Sequence, residues 1–174
     1  MLKSRKNEEI KMSVILIGMP SCGKSTLGVL LAKKLGFRFI DSDLLIQESE
    51  GKLLHEIINE RGADGFIAIE NSVNLNITDK NAVISTGGSA VYGKEAMEHL
   101  KTLGKVVYLR ISYDEMIKRL GDYVHRGVVM KEGHTLLDMY RERSELYERY
   151  ADIIVDGTDD ISKTLDIIAE KINE

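Results

Sequence analysis

Residues 18–26 read GMPSCGKST and match G-x-x-x-x-G-K-[ST] at every fixed position. The flanks constrain the fold as much as the motif does. Ahead stands MSVILIG, an unbroken apolar run of the kind that builds a strand buried on both faces. Behind, Lys24 to Leu35 carries helical periodicity and stops at Gly36. Strand, glycine loop and helix N-terminus in that order make a cradle of backbone N–H groups for a phosphate, reinforced by the positive end of the helix. Gly18 and Gly23 let the backbone wrap the anion. Lys24 reaches toward the β- and γ-phosphates of a nucleotide, and Ser25 offers a hydroxyl to Mg2+. Ser21, Cys22 and Thr26 share the loop and complete the nucleotide-contacting set. Cys22 fills a free position, where a tolerated small residue is sufficient explanation.

The same alternation continues along the chain. FRFID, AVIST, KVVYLRI and DIIVD read as four more strands. Helical patterns fall at Ser42–Glu60 (one or two helices, broken near Gly51), Ala63–Thr78, Lys94–Leu103, Ser112–Leu120, Thr135–Tyr150 and Ile161–Ile172. Strands alternating with helices predict an α/β fold, a parallel five-stranded sheet covered on both faces in three α/β/α layers. Residues 121–134 hold three glycines with mixed charge and little periodicity. Residues 1–11 form a polar extension, and residues 12–174 read as one domain. The only proline is Pro20, inside the first loop.

Composition narrows the partners. The formal net charge is −4, against the basic field expected of a nucleic-acid binder. Cys22 is the only cysteine, which excludes an internal disulfide and a multi-cysteine metal site and fits a reducing cytoplasm. The apolar run from Met12 to Met19 is too short for a signal sequence or a membrane span and lacks a small-residue cleavage site. His55, His99 and His134 show no metal-ligand spacing.

The acidic residues point to a reaction. The third strand ends in STGGSA, without the magnesium-binding carboxylate usual in motor ATPases and GTPases. The acids follow the second strand instead, in DSD, just past the carboxyl end where α/β sheets place ligands. Asp41 is placed to hold magnesium through water. Asp43 is placed to bind an acceptor hydroxyl and take its proton. Helix capping by Asp41 or Ser42 is the plainer reading and is compatible with both roles. Gly87 and Gly88 leave the backbone bare for a substrate or γ-phosphate, or make an ordinary tight turn. This arrangement suggests a small-molecule kinase.

Together, GMPSCGKST, DSDLLI, GF-x-x-IE at 65–70, STGGSAV and ERSELYERYAD at 142–152 resemble the shikimate kinase family, in the nucleoside-monophosphate-kinase branch of P-loop proteins. The resemblance runs from about Ser13 to the C-terminus. It implies a sheet of order 2-3-1-4-5 with a mobile lid at about 121–134, and an often monomeric enzyme. It also implies transfer of the ATP γ-phosphate to the 3-hydroxyl of shikimate with Mg2+, in aromatic amino-acid biosynthesis. By position, Lys24, Ser25 and Asp41 serve ATP and magnesium, Asp43 is base and substrate ligand, and Gly88 contacts substrate. Arg119 matches the arginine that stacks on adenine and Arg126 the lid arginine over the phosphates, with His125 as lid surface. Arg143 matches the arginine that pairs with the shikimate carboxylate. From the residues alone, Arg143 in YRERSELYER reads as a surface cation beside Glu142 and Glu145.

Three departures bear on the acceptor. The family's G-F-R-x-x-E is GFIAIE here, so Ile67 stands where an arginine shares the carboxylate with the Arg143 position. The third glycine of the family's GGG is Ser89, which either narrows the pocket or adds a hydrogen bond. The lid's R-P-L-L is RGVV from Arg126 to Val129. Loss of one partner of a desolvated carboxylate costs on the order of 2–5 kcal/mol. On a helix, Phe66, Ile69, Val73 and Ile77 share a stripe and Ile67 lies off it, so Ile67 faces either the acceptor pocket or a neighbouring helix. Two alternatives therefore stay open. One is a kinase of the same fold for another hydroxylated metabolite, although DSDLLIQ lacks the His-Pro of gluconate kinases. The other is a nucleotide-binding protein without kinase activity, which the intact Lys24, Ser25, Asp41 and Asp43 oppose.

Overall fold

The computed structural model describes residues 12–121 and 127–174. Five strands, β1 (Ser13–Ile17), β2 (Arg38–Asp41), β3 (Ala82–Ser85), β4 (Gly104–Arg110) and β5 (Ile153–Asp156), form one sheet of order β2-β3-β1-β4-β5. Every pairing is parallel. All residues of β1 and β3 are buried, as their uninterrupted apolar runs require of strands covered on both faces. The chain leaves β1 toward β2 on one side and returns to β4 on the other. The switch point therefore lies at the carboxyl end of β1, where the phosphate loop begins.

The helices are α1 (Lys24–Leu35), α2 (Ser42–Glu50), α3 (Leu54–Leu75), α4 (Lys94–Leu103), α5 (Tyr113–Leu120), α6 (Leu136–Tyr150) and α7 (Ile161–Lys171). Their ends carry the expected chemistry. Gly36 and Gly51 close α1 and α2 in the left-handed region, with φ of 69° and 64°. Asp41, Ser112, Thr135 and Asp160 cap α2, α5, α6 and α7 with side-chain oxygens. The expected break near Gly51 is present. The stretch after that break and the helix expected at Ala63–Thr78, however, join into one helix that starts at Leu54 and ends at Leu75. It passes through Gly62 with a kink (φ 69°, ψ 178°), because one glycine bends a helix whose two halves both pack. A 3-10 turn at Ala90–Tyr92 escaped the periodicity, being too short to show one.

The main core lies on both faces of β1, β3 and β4. A second, smaller cluster joins Ile46 of α2, Ile57 and Phe66 of α3, and Val129. It fixes the segment after Gly127 against the start of α3. Among the described residues, no helix is long and apolar enough to cross a membrane.

Candidate active site

The phosphate loop turns on three unusual backbone angles: φ of 151° at Gly18, 62° at Ser21 and 95° at Gly23. At Gly18 a Cβ would sit 2.6 Å from the Leu109 carbonyl oxygen and 3.0 Å from Cys22 Sγ, so the glycine is also required by packing. Lys24 is 7 % exposed. Its ammonium donates to the carbonyls of Gly18 at 2.8 Å and Met19 at 2.9 Å. Cys22 turns into the main core, with Sγ 3.6 Å from Lys24 Nζ.

The carboxyl end of β2 approaches from the other side. Ser25 Oγ donates to Asp41 Oδ2 at 2.7 Å, while Asp41 Oδ1 accepts the backbone N–H of Asp43 at 3.0 Å. One carboxylate thus caps α2 and meets the loop serine at once. Ser42 is fully buried and accepts the Gly87 N–H at 3.2 Å, tying the start of α2 to the glycine pair. Burial pushes the Asp43 carboxyl up to about 6. The neighbouring Asp41 charge adds to the rise, and Lys24 opposes it.

The glycine pair has a packing reason that the sequence hid. A Cβ at Gly87 would lie 2.4 Å from Glu70 Oε1 and 2.7 Å from Asp43 Oδ1. Two carboxyls therefore converge over one bare backbone position. At Gly88 a Cβ would meet Pro20 Cδ at 3.0 Å and Arg143 Nη1 at 3.1 Å. Tyr147 donates to the Gly88 carbonyl at 2.6 Å and packs its ring 5.0 Å from that of Tyr108 on β4. Ser89 Oγ donates to Glu70 Oε2 at 2.5 Å. Glu70 is 1 % exposed. Burial raises its carboxyl to about 8, against the opposing Ser89 hydrogen bond.

Arg143 is 2 % exposed, which removes the surface reading of this residue. Its Nη2 donates to the Val129 carbonyl, and its guanidinium lies 5.3 Å from the Tyr92 ring centroid. Glu142, the expected surface partner, is engaged by Lys131 at 2.5 Å and Tyr92 at 3.1 Å. Arg143 Nε and Glu70 Oε1 are buried without a hydrogen-bond partner among the described residues.

A cavity of about 680 Å³ collects most of these groups. Ser21, Gly23, Lys24, Ser25 and Thr26 line it, as do Asp43, Phe66, Gly87, Gly88, Ser89 and Arg143. Val128 and Val129 of the expected lid close one side. Arg119 lies where this cavity meets a second one and pairs with Glu115 at 2.5 Å and Asp159 at 3.3 Å. Gly18, Cys22, Asp41 and Ile67 do not line the cavity. Arg126 and His125 lie outside the described residues.

The family model described as shikimate kinase matches residues 20–173. The chain belongs to the shikimate kinase family. It is accordingly an ATP-dependent small-molecule kinase. It is 41 % identical over 147 residues to shikimate kinase of Clostridium botulinum (strain Okra), covering 82 % of this chain and 86 % of that one. It is 31 % identical over 168 residues to shikimate kinase 2 of Yersinia pseudotuberculosis (serotype O:3), covering 92 % of each. The solved shikimate kinase from Acinetobacter baumannii in complex with shikimate superposes with a TM-score of 0.83 at 29 % identity, covering 95 % of this chain and 97 % of that one.

Within the shikimate kinase fold, the departures of this chain separate. Ile67 packs against the small cluster of Ile46, Ile57, Phe66 and Val129 instead of standing in the cavity. Ser89 remains in the cavity wall and spends its hydroxyl proton on Glu70. Glu70 itself was missed as a site residue, although GF-x-x-IE contains it. Phe66, Glu70 and Asn74 are spaced four apart and are all buried, so the inner face of α3 carries two polar residues that a search for apolar periodicity passes over.

Proposed function

We propose that this kinase transfers the γ-phosphate of ATP to the 3-hydroxyl of shikimate. The observation that carries the reading is one cavity holding Lys24, Asp43 and Arg143 together. Lys24 and the loop N–H groups hold the β- and γ-phosphates at the N-terminus of α1. Arg143 pairs with the acceptor carboxylate, and Gly88 leaves room for the ring. Asp43 takes the hydroxyl proton as the acceptor oxygen bonds to the γ-phosphorus and ADP departs. A base near 6 is ionised at neutral pH yet remains more basic than an exposed aspartate.

Ser25 and Asp41 would hold Mg2+. Their bonded hydroxyl and carboxylate are hard oxygen donors, and so small a protein set suits an ion that keeps water and phosphate oxygens as its other ligands. Bound there, the ion would neutralise charge on the phosphates. Arg119 serves the adenine side and Arg126 the phosphates from the lid, as the family pattern implies. Residues 12–174 act as one catalytic domain after the 1–11 extension. Buried, reduced Cys22 fits a cytoplasmic setting, and we expect a monomer.

Coupled ADP release with MgATP, assayed across shikimate, gluconate and other hydroxy acids and sugars, tests the reading. Shikimate-dependent release is expected. Release with another acceptor alone reassigns the substrate, and no acceptor-dependent release makes the chain an ATP binder.

A further inference from the structure

Two departures of this chain from its family meet on one residue. Ile67 precedes Glu70 by three positions on α3, a spacing at which helix side chains neighbour one another. The family's arginine at that position would bring a cation beside the carboxyl. Ile67 brings none, and Ser89, in place of the family's glycine, supplies the hydroxyl that Glu70 Oε2 receives. Ser89 stands at the N-terminal boundary of the 3-10 turn, yet its hydroxyl makes no capping bond there. Its position in the cavity wall and its bond to Glu70 account for it better than a role in the turn.

The direction of that bond matters. A hydroxyl has one proton and two acceptor lone pairs. Where Oε2 is the unprotonated oxygen of the Glu70 carboxyl it takes the serine proton, and Ser89 then offers only lone pairs to whatever enters the cavity. Glu70 lies behind this wall, does not line the cavity and is buried on α3. Through its bond to the hydroxyl it sets which way Ser89 presents itself. Asp43 Oδ1 and Glu70 Oε1 converge on one point over Gly87, so the carboxyl bonded to Ser89 also approaches the residue assigned to the reacting hydroxyl.

We propose that Ser89 is a specificity residue oriented by Glu70: its oxygen accepts a hydrogen bond from an acceptor hydroxyl other than the one phosphorylated. This inference rests on the assignment of a polyhydroxylated carboxylic acid as acceptor. It names a group that reads the ring hydroxyls, where Arg143 reads the carboxylate. Ser89 is thus a binding residue and Glu70 a positioning residue.

The test is steady-state kinetics with shikimate and with its two analogues that each lack one non-reacting ring hydroxyl. The enzymes are the unaltered kinase, Ser89→Ala and Glu70→Gln. Ser89→Ala should raise KM for shikimate about tenfold, the worth of one buried hydrogen bond, while KM for MgATP stays the same. It should leave KM unchanged for one of the two analogues, the one that already lacks the partner hydroxyl. Glu70→Gln keeps a side-chain oxygen to receive the serine proton and should keep the preference for shikimate over that analogue. A Ser89→Ala enzyme that loses equally against shikimate and both analogues, or loses nothing, overturns the specificity role. A Glu70→Gln enzyme that loses the preference and keeps KM for MgATP overturns the view that a hydrogen-bond acceptor at that position suffices to orient Ser89. An unaltered kinase that turns over other acceptors and not shikimate overturns the acceptor assignment itself, a different failure from either of these.

Discussion

The two ends of the cavity are built by different means. The donor end is one contiguous stretch, residues 18–26, whose geometry comes from backbone angles and bonds within the loop. The acceptor end is assembled from α2, α3, the 87–89 segment and α6, which bring Asp43, Glu70, Ser89 and Arg143 together from across the chain. The donor end satisfies its buried groups locally. The acceptor end holds a carboxyl oxygen and a guanidinium nitrogen without partners among the described residues. A phosphate site of this kind depends mainly on conformation, so it tolerates change around it. The acceptor site depends on which side chains converge, so single substitutions can redirect it.

Lys24→Met should give the largest effect of any change. It removes the only cation of the loop and should lower kcat by at least about a thousandfold, measured as coupled ADP release. Undiminished turnover would dismiss the phosphate role of that ammonium. Asp43→Asn strikes the point where the two ends meet. It should lower kcat by roughly 10²–10⁴-fold with little change in MgATP affinity. Equal losses in rate and nucleotide affinity would remove Asp43 from the base role. Because the Asp43 carboxyl titrates near 6, the rate of the unaltered enzyme should fall as pH drops through that value and the base becomes protonated. That limb should be absent from any residual activity of Asp43→Asn.

Ile67→Arg tests the acceptor end alone. It places a cation three residues before Glu70 on α3, on a side chain long enough to reach from the Ile46–Phe66–Val129 cluster toward the cavity that Phe66 and Val129 also line, where Arg143 is proposed to pair with the acceptor carboxylate. KM for shikimate should drop at least about tenfold while MgATP parameters hold. An unchanged KM would mean that the acceptor carboxylate is held without this position. The native side chain packs into the Ile46–Phe66–Val129 cluster, so some loss of thermal stability should accompany the gain.

This contrast also explains what the sequence disclosed. The loop, the five strands and the DSD pair were legible because each is local: a run, a period or a spacing within a few residues. The buried state of Arg143 was not legible from its helix, since YRERSELYER reads as a charged surface until Tyr92, Val129 and Gly88 are folded around it. The need for glycine at 87 was hidden for the same reason. It depends on Glu70 and Asp43 arriving from two different helices. The position of Ile67 was open because both of its expected surroundings, pocket and helix wall, are apolar on one side.

The smallest effect expected is on stability, and it reports on Glu70 by itself. An unfolded glutamate ionises near 4.5, whereas burial holds this one up to about 8 in the folded protein. Below the lower value both states are protonated and the group is neutral in its effect. As pH rises above it, the unfolded chain sheds the proton while the folded chain retains it, so stability declines until the folded carboxyl also ionises near 8. The decline amounts to a few kcal/mol at most, on the order set by the displacement of the pKa. Asp43 contributes in the same direction, but only between 3.8 and about 6. The window from pH 6 to 8 is therefore diagnostic. Thermal unfolding should show the unaltered protein losing Tm across that window, and Glu70→Gln, which keeps an acceptor for Ser89 and has no proton to lose, holding its Tm nearly level. Parallel losses in the two proteins would mean that Glu70 is already ionised at pH 6, and that the acceptor end of the cavity carries a negative charge behind Ser89 instead of a neutral carboxyl.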